Sequence, residues 1–139
     1  MKVVIVGGVA GGATAAARIR RLDEKAEIVV FERSGYISYA NCGLPYYIGD
    51  VITDAEELTL QSPESFYSRF RADMRVHHEV TEIHPEKKTV SVKNLKTGEE
   101  FEESYDKLLL SPGAKPVWPN LPGMDSDKLF TLRTVEDTF

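Results

Sequence analysis

Apolar residues form short uninterrupted runs near the start of the chain, and each run ends at a glycine or an acidic residue. Residues 3–6 read Val-Val-Ile-Val before Gly7, and residues 27–31 read Glu-Ile-Val-Val-Phe before Glu32. Such runs are typical of strands that are buried on both faces. Between them, residues 13–22 carry small and apolar side chains at helical spacing, which predicts a helix. We expect the inner face of this helix to carry Gly12, Ala15, Ala16, Ile19 and Leu22.

Strand, glycine loop, helix and strand in succession predict a βαβ unit and therefore a parallel sheet. The rest of the pattern adds further strands and one more helix. In chain order we predict a helix opening at Ser62-Pro63-Glu64, a strand at 74–78, an antiparallel hairpin at 89–92 and 99–105, a buried strand at 108–110, a short strand at 129–132 and a helix start at 134–137. Residues 34–49 follow no period and predict a functional loop. The pattern predicts an α/β fold with an inserted antiparallel hairpin, and we expect this insertion to be part of an antiparallel β-meander.

Composition narrows the class of protein. With 139 residues, 42% hydrophobic and 28% charged, the chain is typical of one ordinary globular domain. No apolar run approaches the ~20 residues of a membrane span, and a net charge of −5 argues against nucleic acid as a partner. The single cysteine excludes an internal disulfide and a Cys-x-x-Cys metal site. We therefore expect a cytoplasmic protein with no metal centre.

Residues 7–12 lie where the glycine fingerprint of a dinucleotide site belongs, after a strand and at the start of a helix. They read Gly7-Gly8-Val9-Ala10-Gly11-Gly12, and Val9 replaces the usual middle glycine. Gly7 is expected to make the tight turn, and Gly12 to let the helix approach the sheet. Glu32 ends the second strand, where it can hydrogen-bond a ribose hydroxyl. The alternative is a glycine-rich turn in an unrelated α/β sheet, and the motif does not separate FAD from NAD.

Residues 38–47 make the sequence more specific. They read Ser-Tyr-Ala-Asn-Cys-Gly-Leu-Pro-Tyr-Tyr, and residues 105–114 read Tyr-Asp-Lys-Leu-Leu-Leu-Ser-Pro-Gly-Ala. Together with the glycine loop, these segments resemble the single-cysteine branch of the pyridine nucleotide–disulfide oxidoreductases. Within that branch they are most similar to the coenzyme A-disulfide reductases and the related persulfide and polysulfide reductases. The resemblance runs from Met1 to about Thr134.

The resemblance implies a Rossmann-like FAD/NAD(P)-binding domain that uses FAD and NAD(P)H. Family members are longer homodimers, so we expect residues 1–139 to be the truncated N-terminal part of an FAD-binding domain, inactive alone. The nicotinamide and dimerisation domains would be absent. Cys42 matches the redox cysteine; it would form a mixed disulfide with a small thiol or cycle through sulfenic acid. Without the resemblance, a lone cysteine is more often a small buried apolar residue.

Further roles are carried over by resemblance onto matching positions. For FAD these are Gly7, Gly8, Val9, Ala10, Gly11, Gly12, Glu32, Arg33, Val80, Ser111 and Gly113. For coenzyme A they are Thr14, Arg18, Arg21, Ser38 and Asn41. The first three of these fall on one helix face, opposite the apolar one, and a simple solvated face is the alternative. Phe70 stands where a relative has a basic coenzyme A ligand, with Arg69 and Arg71 on either side.

Three functions remain open from the sequence. The first is a coenzyme A-disulfide, persulfide or polysulfide reductase. The second is an NADH oxidase or peroxidase in which Cys42 cycles as a sulfenate. The third is a nucleotide-binding module without catalytic activity, in which the cysteine is incidental. The residues around the cysteine, Asn41 and Pro45, and the arginines of the helix face favour the first.

Overall fold

A four-stranded parallel sheet lies at the centre of the protein, and the computed structural model describes residues 1–139. In chain order the elements are β1 (Lys2–Val6), α1 (Ala10–Leu22), β2 (Glu27–Glu32), β3 (Ile37–Tyr39), α2 (Leu44–Ile48), β4 (Thr59–Gln61), α3 (Pro63–Phe70), β5 (Asp73–Val76), β6 (His78–His84), β7 (Thr89–Asn94), β8 (Glu100–Ser104) and β9 (Lys107–Leu110). The central sheet has the order β5-β2-β1-β9, and all its pairs are parallel. The βαβ unit and the parallel sheet are confirmed.

The two faces of this sheet are covered by different parts of the chain. Successive strand residues point to opposite faces. Val3 and Ile5 therefore share a core with α1 and α3, whereas Val4 packs with Val90 and Val92 of the meander. The antiparallel β6-β7-β8 meander covers this second face. Burial on both faces explains why the first two strands are continuous apolar runs, and the predicted fold class is confirmed.

Helix α1 differs from its predicted form at both ends. It begins at Ala10, because Gly7 and Gly8 already complete the turn and the Ala13 N–H donates to the Val9 carbonyl at 3.0 Å. At its other end Leu22 is 70% exposed, so its predicted place on the inner face was wrong, and Ala13 is buried instead. Arg20 fills the space at the end of the helix by hydrogen-bonding to backbone carbonyls of neighbouring segments.

Several other boundaries also differ. The predicted strand at 74–78 breaks at His77, whose φ of +56° is left-handed; β5 ends before it, and His78 begins the meander. The functional loop at 34–49 contains β3 and α2. Strand β9 is confirmed but only half-buried, because it lies at the sheet edge, with Leu110 55% exposed. The helix predicted from Ser62 is confirmed, with reciprocal Ser62–Ser65 capping bonds.

After β9, residues 111–135 form an irregular segment with turns at 122–125 and 127–128. The strand predicted at 129–132 does not form, and the helix start at 134–137 is reduced to a 3₁₀ turn at Glu136–Thr138. Four prolines in residues 112–122 remove N–H donors from the first half of this segment. No strand of the central sheet pairs with residues 129–132. The segment lies along the carboxyl ends of the parallel strands, where it forms walls of the site described below. None of the helices is long and apolar enough to cross a membrane.

Candidate functional site

The glycine loop is built on two close backbone approaches that only glycine permits. Gly7 has a φ of +96°, and a Cβ there would lie 2.1 Å from the Ser111 carbonyl oxygen. A Cβ on Gly12 would lie 1.7 Å from the Gly7 carbonyl oxygen. The predicted structural roles of Gly7 in the turn and of Gly12 in helix–sheet contact are confirmed.

No side chain of the protein caps the start of α1. Val9 occupies the N-cap position with no side-chain hydrogen bond, and the first turn contains no acidic residue. The free N–H groups of a helix N-terminus and its dipole favour an anion. This end of α1, reached through a glycine loop, therefore has the composition that binds a pyrophosphate.

Glu32 joins the glycine loop to the segment that follows β2. One carboxylate oxygen accepts from the Gly8 N–H at 2.7 Å, and the other accepts from the Ser34 N–H at 2.8 Å and from its hydroxyl at 2.9 Å. The side chain is half-buried at the carboxyl end of β2. These bonds fix the carboxylate beside the loop, and lone pairs remain to accept from a ligand hydroxyl.

Two adjoining clefts open at the carboxyl ends of β1, β2 and β9. Their volumes are about 360 and 290 Å³, and both are bordered by Glu32, Arg33 and residues 112–115. The larger extends past Val9 and Ser111 toward Tyr39, and the smaller past Gly7 toward Val80. The predicted cofactor residues that line these clefts are Gly7, Val9, Glu32, Arg33, Val80, Ser111 and Gly113. Gly8, Ala10, Gly11 and Gly12 complete the loop and first helical turn beside them.

An elongated dinucleotide fits this arrangement. The loop and helix start provide N–H donors for a pyrophosphate, and Glu32 provides an acceptor for a ribose hydroxyl. The smaller cleft has Phe31, His78 and Val80 in its wall, which gives an apolar and aromatic surface for a base. No group of three or more His, Cys, Asp or Glu side chains is placed to hold a metal ion.

Cys42 lies in a 3₁₀ turn at Asn41–Gly43 that leads directly into α2, and its thiol is free and exposed. Gly43, at the end of this turn, is buried and packs against Leu58, because a Cβ there would come within 3.1 Å of Leu58 Cδ2. The Gly43 N–H also donates to the Ala40 carbonyl at 2.8 Å. Because its side chain faces solvent, Cys42 is not a packed core residue.

Two contacts join the glycine loop to β3 and to the turn at Asn41–Gly43 that contains Cys42, here called the cysteine turn. Ser38, with a left-handed φ of +47°, donates its N–H to the Gly8 carbonyl at 3.1 Å. The Val9 side chain packs against the apolar cluster of Tyr39, Leu44, Leu58 and Val135 under the turn. A valine at the middle position of the fingerprint therefore joins the two motifs by packing, which a glycine could not do.

The coenzyme A candidates are separate from the clefts. Thr14, Arg18 and Arg21 are exposed on the outer face of α1, and the two arginines have no side-chain hydrogen bond or ion pair within the chain. Ser38 lies in β3, Asn41 opens the turn that contains Cys42, and neither lines a cleft. The outer helix face is thus an unpaired cationic surface.

Phe70 is a packing residue. Its ring lies 4.7 Å from that of Phe66, centroid to centroid, against the core formed with α1. The guanidinium groups of Arg69 and Arg71 are exposed and lie over the rings of Phe70 and Tyr67, at 5.2 and 5.5 Å. Phe70 itself offers no charge to a phosphate, and the two arginines stay available at the surface.

Sequence reasoning missed Tyr39, Lys115, Arg133 and Asp137, all of which line the larger cleft. Burial raises the pKa of the Tyr39 phenol, although nearby Arg133 opposes this, so the hydroxyl stays protonated and donates to the Arg133 carbonyl at 3.3 Å. Local patterns in this part of the chain predicted only a strand at 129–132 and a helix start at 134–137, and neither points to the cleft. The importance of Arg133 and Asp137 comes from a long-range contact that no local pattern encodes.

Comparison with known proteins identifies the family. Residues 1–138 match the family described as pyridine nucleotide-disulphide oxidoreductase. This chain belongs to that family. A coenzyme A disulfide reductase of Staphylococcus aureus is 53% identical over 137 residues, covering 99% of this chain. The match covers 31% of that relative, so the chain spans about a third of the length of its curated relatives.

Solved structures give the same result. A crystal structure of reduced Bacillus anthracis CoADR-RHD superposes with a TM-score of 0.94 at 56% identity, over 99% of this chain and 25% of that one. A NAD-dependent persulfide reductase from A. fulgidus gives 0.91 at 35% identity, over 99% and 26%. A water-forming NADH oxidase from Lactobacillus brevis, bound to NADH, gives 0.89 at 35% identity, over 99% and 30%. The resemblance on which the fold was predicted is confirmed.

Proposed function

We propose that this chain is the FAD-binding part of an NAD(P)H-dependent reductase of coenzyme A disulfide or of a related persulfide or polysulfide. The observation that carries the proposal is the exposed Cys42, fastened by Ser38 and Val9 against a loop built for a dinucleotide. The 53% identity to a coenzyme A disulfide reductase supports the substrate class. Residues 1–139 would be the N-terminal part of this domain, acting in a cytoplasmic homodimer whose other segments bind NAD(P)H and complete the site.

Each residue has a defined task in this proposal. The loop from Gly7 to Gly12 and the start of α1 hold the pyrophosphate, and Glu32 accepts from the ribose. Arg33 and Val80 border the adenine end, while Ser111 and Gly113 form the wall along which the cofactor passes. Bound FAD supplies the two electrons that originate from NAD(P)H.

Cys42 performs the thiol chemistry. Its thiolate attacks one sulfur of the disulfide, the S–S bond breaks, and the first thiolate leaves and takes a proton from solvent. The product is a mixed disulfide between Cys42 and the second half of the substrate. Two electrons reduce this bond, which frees the second thiol and restores the Cys42 thiolate. Thr14, Arg18, Arg21, Ser38 and Asn41 would hold the coenzyme A part, because guanidinium groups bind phosphates through charge-assisted hydrogen bonds.

Replacing Cys42 by serine in the full-length protein tests this assignment. The substitution is nearly isosteric at an exposed position, so we expect folding, FAD content and flavin reduction by NAD(P)H to be retained. Disulfide turnover should fall by at least about 10³-fold, because a hydroxyl neither ionises near neutral pH nor forms a mixed disulfide. Stopped-flow absorbance of the flavin measures its reduction by NAD(P)H, and steady-state thiol release measures disulfide turnover. A variant that kept most of its turnover would contradict the role of Cys42.

An oxidase or peroxidase is the second candidate, favoured by the 35% identity to the Lactobacillus brevis NADH oxidase. In that case Cys42 would carry one oxygen atom as a sulfenate and peroxide or oxygen would be the acceptor. Intact mass of the purified protein separates the two functions, since a coenzyme A adduct on Cys42 supports the reductase. A single added oxygen, together with NADH oxidation that needs no disulfide, supports the oxidase.

A further inference from the structure

The segment 133–137 runs alongside the cysteine turn, although the proposed reaction assigns it no task. Val135 is 1% exposed and packs in one cluster with Tyr39, Leu44 and Leu58, directly beneath Cys42. On its other side the segment contributes Arg133 and Asp137 to the wall of the larger cleft. The segment therefore lies between the reactive turn and the cofactor cleft.

Arg133 makes the polar contacts across this boundary. Its Nη1 donates to Asn41 Oδ1 at 3.3 Å, and its Nε donates to the Ala114 carbonyl at 3.1 Å. Its own carbonyl accepts from the Tyr39 hydroxyl at 3.3 Å. Tyr39 and Asn41 are both within three positions of Cys42, so one residue is bonded to the turn through its side chain and its backbone.

The position of Arg133 is itself fixed. The N–H groups of Arg133 and Thr134 both donate to Asp137 Oδ2 at 2.7 Å. These bonds, that of Thr134 first, hold the pKa of the Asp137 carboxyl below its usual range, so it is ionised near neutral pH and its bonds are charge-assisted. Glu136 adds a bond from the Gly35 N–H at 3.0 Å. The guanidinium therefore projects from a short turn that is tied at both ends.

We propose that Arg133 is a positioning residue for Cys42, orienting the reactive turn against the Ala114 wall of the cofactor cleft through its bond to Asn41. The planar guanidinium presents several donors in a rigid fork and bridges two acceptors at once, which an ammonium group on a flexible stem does poorly. The role in turnover rests on the proposed function, whereas the orientation of the thiol does not. Arg133 is assigned no contact with the substrate.

The first test measures the thiol alone. In the full-length protein, Arg133→Ala, Asn41→Ala and the double variant are alkylated with iodoacetamide, and modified Cys42 is quantified by mass. We expect each single variant to change the alkylation rate at least threefold and the double variant to change it no further, because both remove the same bond. Lys128→Ala is the matched control: its side chain is an exposed cation of the same extended segment with no polar contact, and its rate should equal wild type.

The second test measures turnover. Because Arg133 borders the cofactor cleft, kcat is expressed per bound FAD. Arg133→Ala should lower this kcat for disulfide reduction at least fivefold, with the rate of flavin reduction per bound FAD unchanged, and Arg133→Lys should restore only part of it. If Arg133→Ala yields little folded protein, the lysine variant carries the same comparison. Effects of Arg133→Ala and Asn41→Ala on the alkylation rate that multiply in the double variant would overturn the proposal, and so would FAD loss that accounts for the whole fall in activity. If the variants show the expected coupling in their alkylation rates but the wild-type protein has no reductase activity, the positioning role is upheld and the proposed function is rejected.

Discussion

At the scale of single residues, the site depends on two glycines that leave no room for a side chain and on a valine whose side chain packs under the cysteine turn. Gly7 and Gly12 leave room for backbone contacts, and their roles were predictable because backbone geometry is a local property of the loop. The packing of Val9 under the cysteine turn was not predictable, because it depends on residues 30 or more positions away. Val9 thus departs from the fingerprint at a position where its side chain makes a tertiary contact.

Replacing Gly12 by alanine tests the close approach. The new Cβ would lie 1.7 Å from the Gly7 carbonyl oxygen, so α1 must move away from the loop. We expect a loss of about 3 kcal/mol or more in the free energy of unfolding, with weaker FAD binding. Gly98→Ala is the control, because a Cβ there meets nothing within 4 Å and the substitution adds only the backbone strain of a φ of +77°. Its cost should stay near 1 kcal/mol, and equal losses in chemical denaturation would show that the contact is unimportant.

At the scale of elements, α1 carries arginines of two kinds within one turn, one that bonds to neighbouring segments and two that face solvent. Arg20 donates to the carbonyls of Ala26, Phe70 and Arg71, and thereby joins the end of α1 to β2 and α3. Arg18 and Arg21 point to solvent without partners. Periodicity predicted the apolar face and the outer cationic face. It could not predict Arg20, because an arginine that binds backbone carbonyls leaves no apolar signal.

Replacing the two outer arginines should change KM, whereas replacing Arg20 should change the free energy of unfolding. Arg18→Ala with Arg21→Ala should leave the free energy of unfolding within about 0.5 kcal/mol. The double variant should raise KM for coenzyme A disulfide at least about tenfold and leave small polysulfides unaffected, since it loses charge-assisted phosphate contacts. Arg20→Ala should instead cost about 1–3 kcal/mol of stability with little change in KM. Equal losses for both substrates in the double variant would mean that the outer arginines are structural.

At the scale of the whole molecule, the meander is fastened to the parallel sheet by apolar packing and by one cluster of charges. Glu103 of β8 accepts from Lys2 Nζ of β1 at 2.5 Å and from Arg75 Nη1 of β5 at 2.8 Å, and its side chain is only 13% exposed. The β7–β8 hairpin and the parallel sheet were each predicted from local periodicity. Their docking was not, because it joins residues about 28 and 101 positions apart.

Glu103 should give the protein a defined acid sensitivity. Burial alone raises the pKa of its carboxyl, but Lys2 and Arg75 outweigh this and hold the pKa below the ordinary 4.5. A lowered folded pKa means that the stabilisation is complete above pH 4.5 and is lost as the pH falls through the folded pKa. The bond to Glu103, only partly opposed by burial, raises the pKa of Lys2 above 10.5, so its contribution is lost only as the pH rises through that higher value.

We therefore expect Glu103→Gln to lower the free energy of unfolding by about 1–2 kcal/mol near neutral pH, and the difference from wild type to shrink as the pH falls below 4.5. Glu100→Gln is the matched control on the same strand, because its pair with Lys93 is long, at 3.4 Å, and exposed. It should cost less than about 0.5 kcal/mol at every pH. Urea denaturation of the full-length protein across the acid range measures both. A Glu103→Gln deficit that did not shrink at all as the pH fell across the acid range would assign the effect to side-chain packing, because protonation of the wild-type carboxyl removes its charge.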